Sequence, residues 1–196
     1  MHFKNFVLDI VKSLIKNDNI DIKFSWDIET NNNYVVYQLE QLSVNGKLSD
    51  RYIRLLSKAD KIYDYSLLNL DYYPKNLIHK VEFLPFLPSI DSKYHNNKCS
   101  NDILFYGYLS QRRINLLKSL NLKVRIHDNF SLEEMKSEIH NSKYVLSYGT
   151  YSNLHNDSFR VSLALNLGGN ILYEETQETW YNDFILSRFK DRILLI

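Results

Sequence analysis

The second half of the chain alternates short apolar strands with short amphipathic helices, and this alternation constrains the fold more than any other feature. Strand patterns are predicted at residues 102–106, 122–126, 143–147, 170–173 and 192–196. Helical spacing falls between them, at residues 110–120, 132–140, 158–167 and 177–188. Strands that are joined by short helical crossovers form a parallel sheet with helices on both faces. The second half is therefore predicted to be a Rossmann-like α/β domain.

The first half repeats this organisation with weaker signals. Helices are predicted at residues 3–15 and 49–58, with a short one from Ser66, and strands at residues 20–26, 34–37, 61–65 and 80–84. A proline-flanked polar stretch, residues 89–101, has neither periodicity and separates the two halves. We predict two Rossmann-like halves with parallel sheets, residues 1–88 and 102–196, joined by a linker at 89–101.

Composition excludes several classes of protein. The formal net charge is +1, so no strong field favours nucleic acid or an anionic membrane. Cys99 is the one cysteine, so neither an intrachain disulfide nor a thiolate metal cluster can form. Lys4, Asp9 and Lys12 interrupt the apolar N-terminal run, which argues against a signal peptide or a membrane span there. These features predict a cytoplasmic protein, in the host cytoplasm if the protein is viral.

A glycine and two arginines follow the first strand of the second half. Gly107, Ser110, Arg112 and Arg113 lie where that strand ends and the next helix begins. Backbone N–H groups at a helix start favour an anion, and nearby guanidinium groups suit a diphosphate. The alternative is that Gly107 only makes a turn, Ser110 caps the helix and both arginines are solvated.

A second polar group lies at the ends of later strands. Asp157 and Arg160 open the helix at 158–167, and Glu174 ends the strand that follows it. A carboxylate at this edge can accept hydrogen bonds from sugar or ribose hydroxyls, and Arg160 can pair with phosphate. The alternative is that Asp157 is simply a helix N-cap and that Arg160 and Glu174 form a structural ion pair.

No catalytic residue is identified by spacing. The six histidines show no metal-ligand pattern, and no serine-nucleophile elbow or cysteine-protease signature is present. Glu29, Glu40 and Asp64 are acidic residues near strand ends of the first half, and any of them could act as a base. The catalytic group stays unknown, with Glu40 and Asp64 as candidates.

Several short motifs, in order, resemble a bacterial and viral glycosyltransferase family related to the spore-maturation (CgeB-like) glycosyltransferases of the GT-B fold. In the first half these are residues 37–42, residues 63–66 with Asn69, and residues 84–85. In the second half they are residues 105–107 with Ser110, Arg112 and Arg113, residues 144–147, Asp157 with Arg160, and residues 172–174. Together they span residues 34 to 175.

The resemblance implies a hexosyltransferase-class enzyme with a GT-B-like fold and a shortened N-terminal half. It would move a sugar from a nucleotide-sugar donor to a hydroxyl-bearing acceptor without a metal or other cofactor. By the resemblance, the donor-binding residues are Gly107, Arg112, Arg113, Asp157, Arg160 and Glu174. Those of the acceptor-side cleft are Tyr65, Ser66 and Asn69.

The acceptor is left open as a glycan, a protein or a modified nucleic-acid base, and so is the oligomeric state. A second interpretation is a catalytically inactive module of the same fold that binds a nucleotide-sugar or a glycan. The near-neutral charge makes modification of nucleic-acid bases the less favoured of these activities.

Overall fold

The computed structural model describes residues 3–17, 19–28, 30, 32–42, 48–89, 100–120, 122–127, 132–150 and 155–196. The chain divides into two units, Lys4–Phe86 and Leu87–Ile196. Most of the predicted linker, including Cys99, lies outside the described residues. Ser131, which with Glu134 forms a predicted helix-capping pattern, also lies outside them.

The N-terminal unit contains a four-stranded parallel sheet. Its elements are α1 (Phe3–Ile15), β1 (Ile22–Lys23), β2 (Val35–Gln38), α2 (Asp50–Lys58), β3 (Lys61–Asp64), two 3-10 helices (Leu67–Tyr72 and Ile78–Lys80) and β4 (Val81–Phe83). The strand order is β1-β2-β3-β4, with Val36 opposite Ile62 and Ile62 opposite Val81. Each strand is added on the same side of the one before it, so this sheet has no reversal of direction.

The core of this unit lies between the sheet and helix α2. Val36 of β2 and Ile62 of β3 pack with Leu55 and Leu56 of α2, and all four side chains are fully or almost fully buried. Helix α2 begins at a cap in which the Ser49 hydroxyl accepts from the Tyr52 amide at 3.2 Å. A short helix is stable here because its apolar face is buried on the sheet, which contributes more than helix propensity.

The C-terminal unit contains a five-stranded parallel sheet. Its elements are β5 (Asn101–Tyr106), α3 (Gln111–Ser119), β6 (Val124–His127), α4 (Leu132–His140), β7 (Ser142–Ser147), α5 (Ser158–Asn166), β8 (Ile171–Tyr173), α6 (Thr179–Phe189), a 3-10 helix (Lys190–Arg192) and β9 (Ile193–Leu195). The strand order is β6-β5-β7-β8-β9. The predicted fold class, α/β with two parallel sheets, is confirmed.

This strand order reverses direction between β5 and β7. The chain passes from β5 outwards to β6, then crosses back over β5 to β7 and continues to β8 and β9. In doubly wound sheets, a reversal of this kind marks a crevice beyond the carboxyl ends of the two strands. In open α/β sheets this switch point is the usual place for a ligand.

Local sequence signals place helix ends in the C-terminal unit. The Ser110 hydroxyl caps α3 by accepting from the Arg113 amide at 3.3 Å. Gly168 follows α5 with φ of 87°, a left-handed conformation that favours glycine, and the Gly169 amide closes the turn on the carbonyl of Ala164 at 2.8 Å. The helix cap at Ser110 that the sequence suggests is therefore confirmed.

No helix within the described ranges is both long and apolar enough to cross a membrane.

Candidate functional site

The six donor-binding residues predicted from the sequence lie in one region of the C-terminal unit. Gly107 follows β5, Arg112 and Arg113 lie in the first turn of α3, and Glu174 follows β8. Asp157 precedes α5, and Arg160 lies in its first turn. All belong to the carboxyl edge of the sheet, around the switch point between β5 and β7. We call this group, together with Tyr148 and Gly149, the arginine cluster.

Arg113 joins the two loops that flank the switch point. Its Nε donates to the carbonyl of Tyr148 at 2.8 Å, and its Nη1 donates to the carbonyl of Tyr108 at 2.8 Å. The side chain is buried, and its guanidinium lies 5.1 Å from the centre of the Phe105 ring. Burial, reinforced by the nearby Arg160 charge, lowers the pKa of Arg113 to about 10, so it remains charged at neutral pH. Arg113 therefore holds protein backbone rather than offering all its donors to a ligand.

Arg112 is paired with Glu174. Both guanidinium nitrogens Nη1 and Nη2 donate to the two carboxylate oxygens, with Nη1 at 2.8 Å from Oε2, and Nη1 also donates to the Gly149 carbonyl. The same carboxylate accepts from the Gly149 amide at 2.9 Å. The guanidinium stacks 3.8 Å from the centre of the Tyr148 ring. The hydrogen bonds that Arg112 donates to Glu174 raise the pKa of Arg112.

Arg160 is paired with Asp157 and approaches Gly107. Its Nη1 donates to Asp157 Oδ2, and a side-chain carbon added at Gly107 would lie 2.9 Å from its Nη2. Gly107 also has φ of 111°, a left-handed conformation that favours glycine. Arg160 is only 8% exposed, yet its Nε has no hydrogen-bond partner in the described part of the chain.

These pairings differ from both structural alternatives suggested by the sequence. Asp157 stands at the N-cap of α5 but makes no side-chain capping bond, so the interpretation of Asp157 as a simple cap is wrong. The Ser158 amide instead donates to Asn156 Oδ1 at 3.0 Å. Glu174 pairs with Arg112 rather than with Arg160. Of the five charged residues, three are arginines and two are carboxylates, which leaves one excess positive charge.

We expect the Arg112–Glu174 pair to contribute measurably to stability. Because the pair is bidentate and Glu174 is largely buried, a double-mutant cycle of Arg112→Ala and Glu174→Ala should give a coupling of about 1–2 kcal/mol. The measurement is urea unfolding followed by Trp180 fluorescence in a Trp26→Phe background.

The matched control is the Arg125–Glu138 pair of the same unit, whose atoms are 3.5 Å apart and whose arginine side chain is 51% exposed. Its coupling should stay below about 0.5 kcal/mol. Equal coupling in the two cycles would show that the pair in the arginine cluster is an ordinary surface contact.

The candidates of the N-terminal unit are mostly buried. Asp64 has no exposed surface, and it accepts hydrogen bonds from the Ser66 amide at 2.8 Å, from Asn69 at 3.0 Å and from the Tyr73 hydroxyl at 2.7 Å. Burial raises the pKa of Tyr73 well above its ordinary value, and the Asp64 charge raises it further. The Tyr73 hydroxyl therefore keeps its proton and donates a hydrogen bond to Asp64. Ser66 and Asn69 are fully buried and Tyr65 is nearly so. In this structure these residues form the interior of the unit.

Glu40 differs from the others because it is exposed, in the loop after β2. Its backbone carbonyl accepts from Gln38 at 2.8 Å and from Asn69 at 3.1 Å. Its carboxylate forms no ion pair with any described residue. Of the two catalytic candidates, only Glu40 therefore presents a carboxylate that a ligand can reach without rearrangement.

Two groups of residues were not among the site residues predicted from the sequence. Tyr148 and Gly149 complete the arginine cluster, and only their place directly after a strand could have drawn attention to them. The second group is buried behind it, where the Asn156 amide donates to Glu178 at 2.8 Å. Burial lowers the pKa of the neighbouring His155, and the Glu178 charge acts in the opposite direction by raising it. These residues hold the segment before α5.

The structure thus defines a protein with two parallel α/β sheets and a cluster of paired arginines at the switch point of the second. No family model matches the chain, and no curated protein does. Among solved structures, it is similar to the crystal structure of a GtfA/B complex bound to UDP and GlcNAc, at 11% identity and a TM-score of 0.33. The match covers 95% of this chain and 49% of that one, so this chain spans about half of that chain's length.

Proposed function

We propose that the protein is a glycosyltransferase whose C-terminal unit binds a nucleotide-sugar donor through its diphosphate at the arginine cluster. The observation that supports the proposal most is Arg160, a buried cation beside Gly107 whose Nε has no hydrogen-bond partner in the described part of the chain. A buried donor without a partner costs free energy, and an anion that accepts from it would recover that cost.

The surroundings of Arg160 favour a diphosphate over a neutral ligand. The excess positive charge of the cluster attracts an anion, and the N-terminus of α3 adds backbone N–H groups at the same edge of the sheet. The arginine cluster lies at the switch point, which is the usual ligand site of a doubly wound sheet. The resemblance of the sequence motifs to nucleotide-sugar-dependent transferases agrees with this chemistry.

Transfer itself would depend on positioning and electrostatic stabilisation. Positive charge at the cluster would stabilise the nucleoside diphosphate as it leaves the sugar, and the acceptor hydroxyl would lose its proton to a carboxylate or to the substrate. Asp157 and Glu174 are the carboxylates proposed for sugar or ribose hydroxyls, but each is held by an arginine. Binding of those hydroxyls would therefore require the carboxylate to share its oxygens with the arginine.

A second candidate function is a nucleotide-sugar-binding module without catalysis. The burial and full hydrogen bonding of Asp64 favour it, because a general base must reach its substrate. Under this alternative the C-terminal unit binds the same ligand, and the sugar is not released.

The proposal is tested by thermal shift with UDP, GDP and ADP and with their glucose conjugates. At least one nucleoside diphosphate should stabilise the full chain, by about 2.7 kcal/mol at a hundredfold excess over its dissociation constant. Release of free nucleoside diphosphate from the bound conjugate would show that the protein transfers the sugar or slowly hydrolyses the conjugate. Either result would identify a transferase.

Binding of the conjugate with no release, in the presence of any acceptor tried, would favour the binding module instead. No shift with any of the six compounds would contradict both functions. Inorganic sulfate at matched ionic strength serves as the control for non-specific anion effects.

A further inference from the structure

Glu174 occupies hydrogen-bond donors that an anionic ligand would also use. Its carboxylate accepts from both terminal nitrogens of Arg112 and from the Gly149 amide, the latter at 2.9 Å. A guanidinium fork and a backbone N–H bind phosphate oxygens in the same way as they bind carboxylate oxygens. The arginine cluster therefore already holds one anionic group at these donors, and that group belongs to the protein.

Arg112 would keep its place if this carboxylate moved away. Its Nη1 also donates to the Gly149 carbonyl at 3.0 Å, and its guanidinium stacks 3.8 Å from the centre of the Tyr148 ring. Neither contact involves Glu174. The orientation of the guanidinium therefore does not require the carboxylate, which argues against a purely positioning role for Glu174.

The carboxylate is also placed so that it can leave. The Glu174 backbone amide donates to the Ser147 carbonyl at 3.0 Å, which fixes the main chain directly after β8. Among the described residues, the side chain accepts from Arg112 and Gly149 alone. The Arg112 side chain is 29% exposed, so part of it is accessible to a ligand. Displacement of the carboxylate thus needs rotation of one side chain and no change in the sheet.

We propose that Glu174 is an internal competitor at the arginine cluster, so that a ligand diphosphate binds Arg112 and the Gly149 amide only by displacing the Glu174 carboxylate. The inference rests on the proposed function in one respect, which is that an anion binds at the arginine cluster. The displaced carboxylate no longer shares its oxygens with Arg112, so it would be free to accept from a sugar or ribose hydroxyl.

Glu174→Gln tests the competition with inorganic pyrophosphate, a probe that carries no sugar hydroxyls. The substitution keeps the size of the side chain and removes its charge, so it weakens the internal competitor. Titration calorimetry on the full chain should show that pyrophosphate binds about tenfold more tightly than to the parent, because neutral hydrogen bonds to Arg112 replace stronger charge-assisted ones.

Glu174→Asp separates occupation of the site from net charge. It keeps the charge but is one methylene shorter, so it should not span both guanidinium nitrogens and the Gly149 amide. Pyrophosphate should again bind more tightly than to the parent. The matched control is Glu175→Gln, because Glu175 is the exposed neighbouring glutamate and its loss removes the same charge. This control should change the affinity by less than about twofold.

Three results would overturn the proposal. Pyrophosphate could bind both Glu174 variants no more tightly than the parent, Glu175→Gln could match Glu174→Gln, or the gain of Glu174→Gln could persist in an Arg112→Ala background. If UDP, GDP or ADP binds the parent, each of these results contradicts the competition and leaves the proposed function in place. Failure of pyrophosphate and of all three nucleotides to bind the parent or any variant would contradict both.

Discussion

Arg160→Ala is expected to weaken UDP binding by about tenfold to a hundredfold. Loss of a charge-assisted hydrogen bond from a buried donor typically costs about 1.5–3 kcal/mol, and Arg160 is 8% exposed with an unpaired Nε. The measurement is titration calorimetry on the folded variant. If UDP does not stabilise the parent protein, the nucleoside diphosphate that does stabilise it is used in place of UDP.

Arg188→Ala is the control, since Arg188 is an exposed arginine of the same unit that lies over the Phe184 ring. It removes the same charge and should change affinity by less than about 1 kcal/mol. Asp157→Asn gives the opposite contrast, because it removes the carboxylate that neutralises Arg160 and should not weaken binding of UDP itself. Parent-like affinity in Arg160→Ala would remove Arg160 from the donor site.

Asp64→Ala should destabilise the N-terminal unit by about 3–5 kcal/mol. The substitution leaves the buried Ser66 amide, Asn69 side chain and Tyr73 hydroxyl without their acceptor, and each unsatisfied buried donor costs about 1–3 kcal/mol. Because Asn69 also holds the loop after β2, the effect should spread to that loop. Urea unfolding in a Trp180→Phe background reports on this unit through Trp26.

Asp71→Ala provides the control for loss of a carboxylate, since Asp71 is exposed on the neighbouring 3-10 helix and should cost less than about 0.5 kcal/mol. Tyr73→Phe removes one of the bonds to Asp64 and should have an intermediate cost of about 1–2 kcal/mol. If Asp64→Ala were as stable as Asp71→Ala, the buried network would not support the unit, and a direct role for Asp64 in chemistry would gain support.

Much of the fold could be predicted because its signals are local. The strands around Val36 and Ile103 and the helix from Ser110 follow from apolar periodicity and capping, which act over a few residues. Helix ends differ from the prediction by one or two residues; α3, for example, covers Gln111–Ser119 rather than 110–120. The first strand is shorter than predicted, because only Ile22–Lys23 pairs with β2.

The charged residues of the arginine cluster could be predicted, whereas their pairings could not. Strand ends mark Arg112 and Glu174 as neighbours of the same sheet edge, but the two are 62 positions apart. Which carboxylate reaches which guanidinium depends on the loops after β7 and β8, whose paths no local pattern specifies. The burial of Asp64 could not be predicted from the sequence for a related reason. The Tyr73 hydroxyl and the Asn69 side chain reach Asp64 only because the chain turns through a 3-10 helix after it.

The position of Arg113 also couples the backbone at Tyr108 to the backbone at Tyr148. Its guanidinium holds the Tyr108 and Tyr148 carbonyls at once, so a fluctuation that released either loop would leave a buried charge short of acceptors. Opening one loop therefore favours opening the other, and the two behave as a single cooperative unit of local unfolding. In amide hydrogen exchange the backbone next to Tyr108 and the backbone next to Tyr148 would share one protection factor, although 40 positions separate the two carbonyls that Arg113 binds.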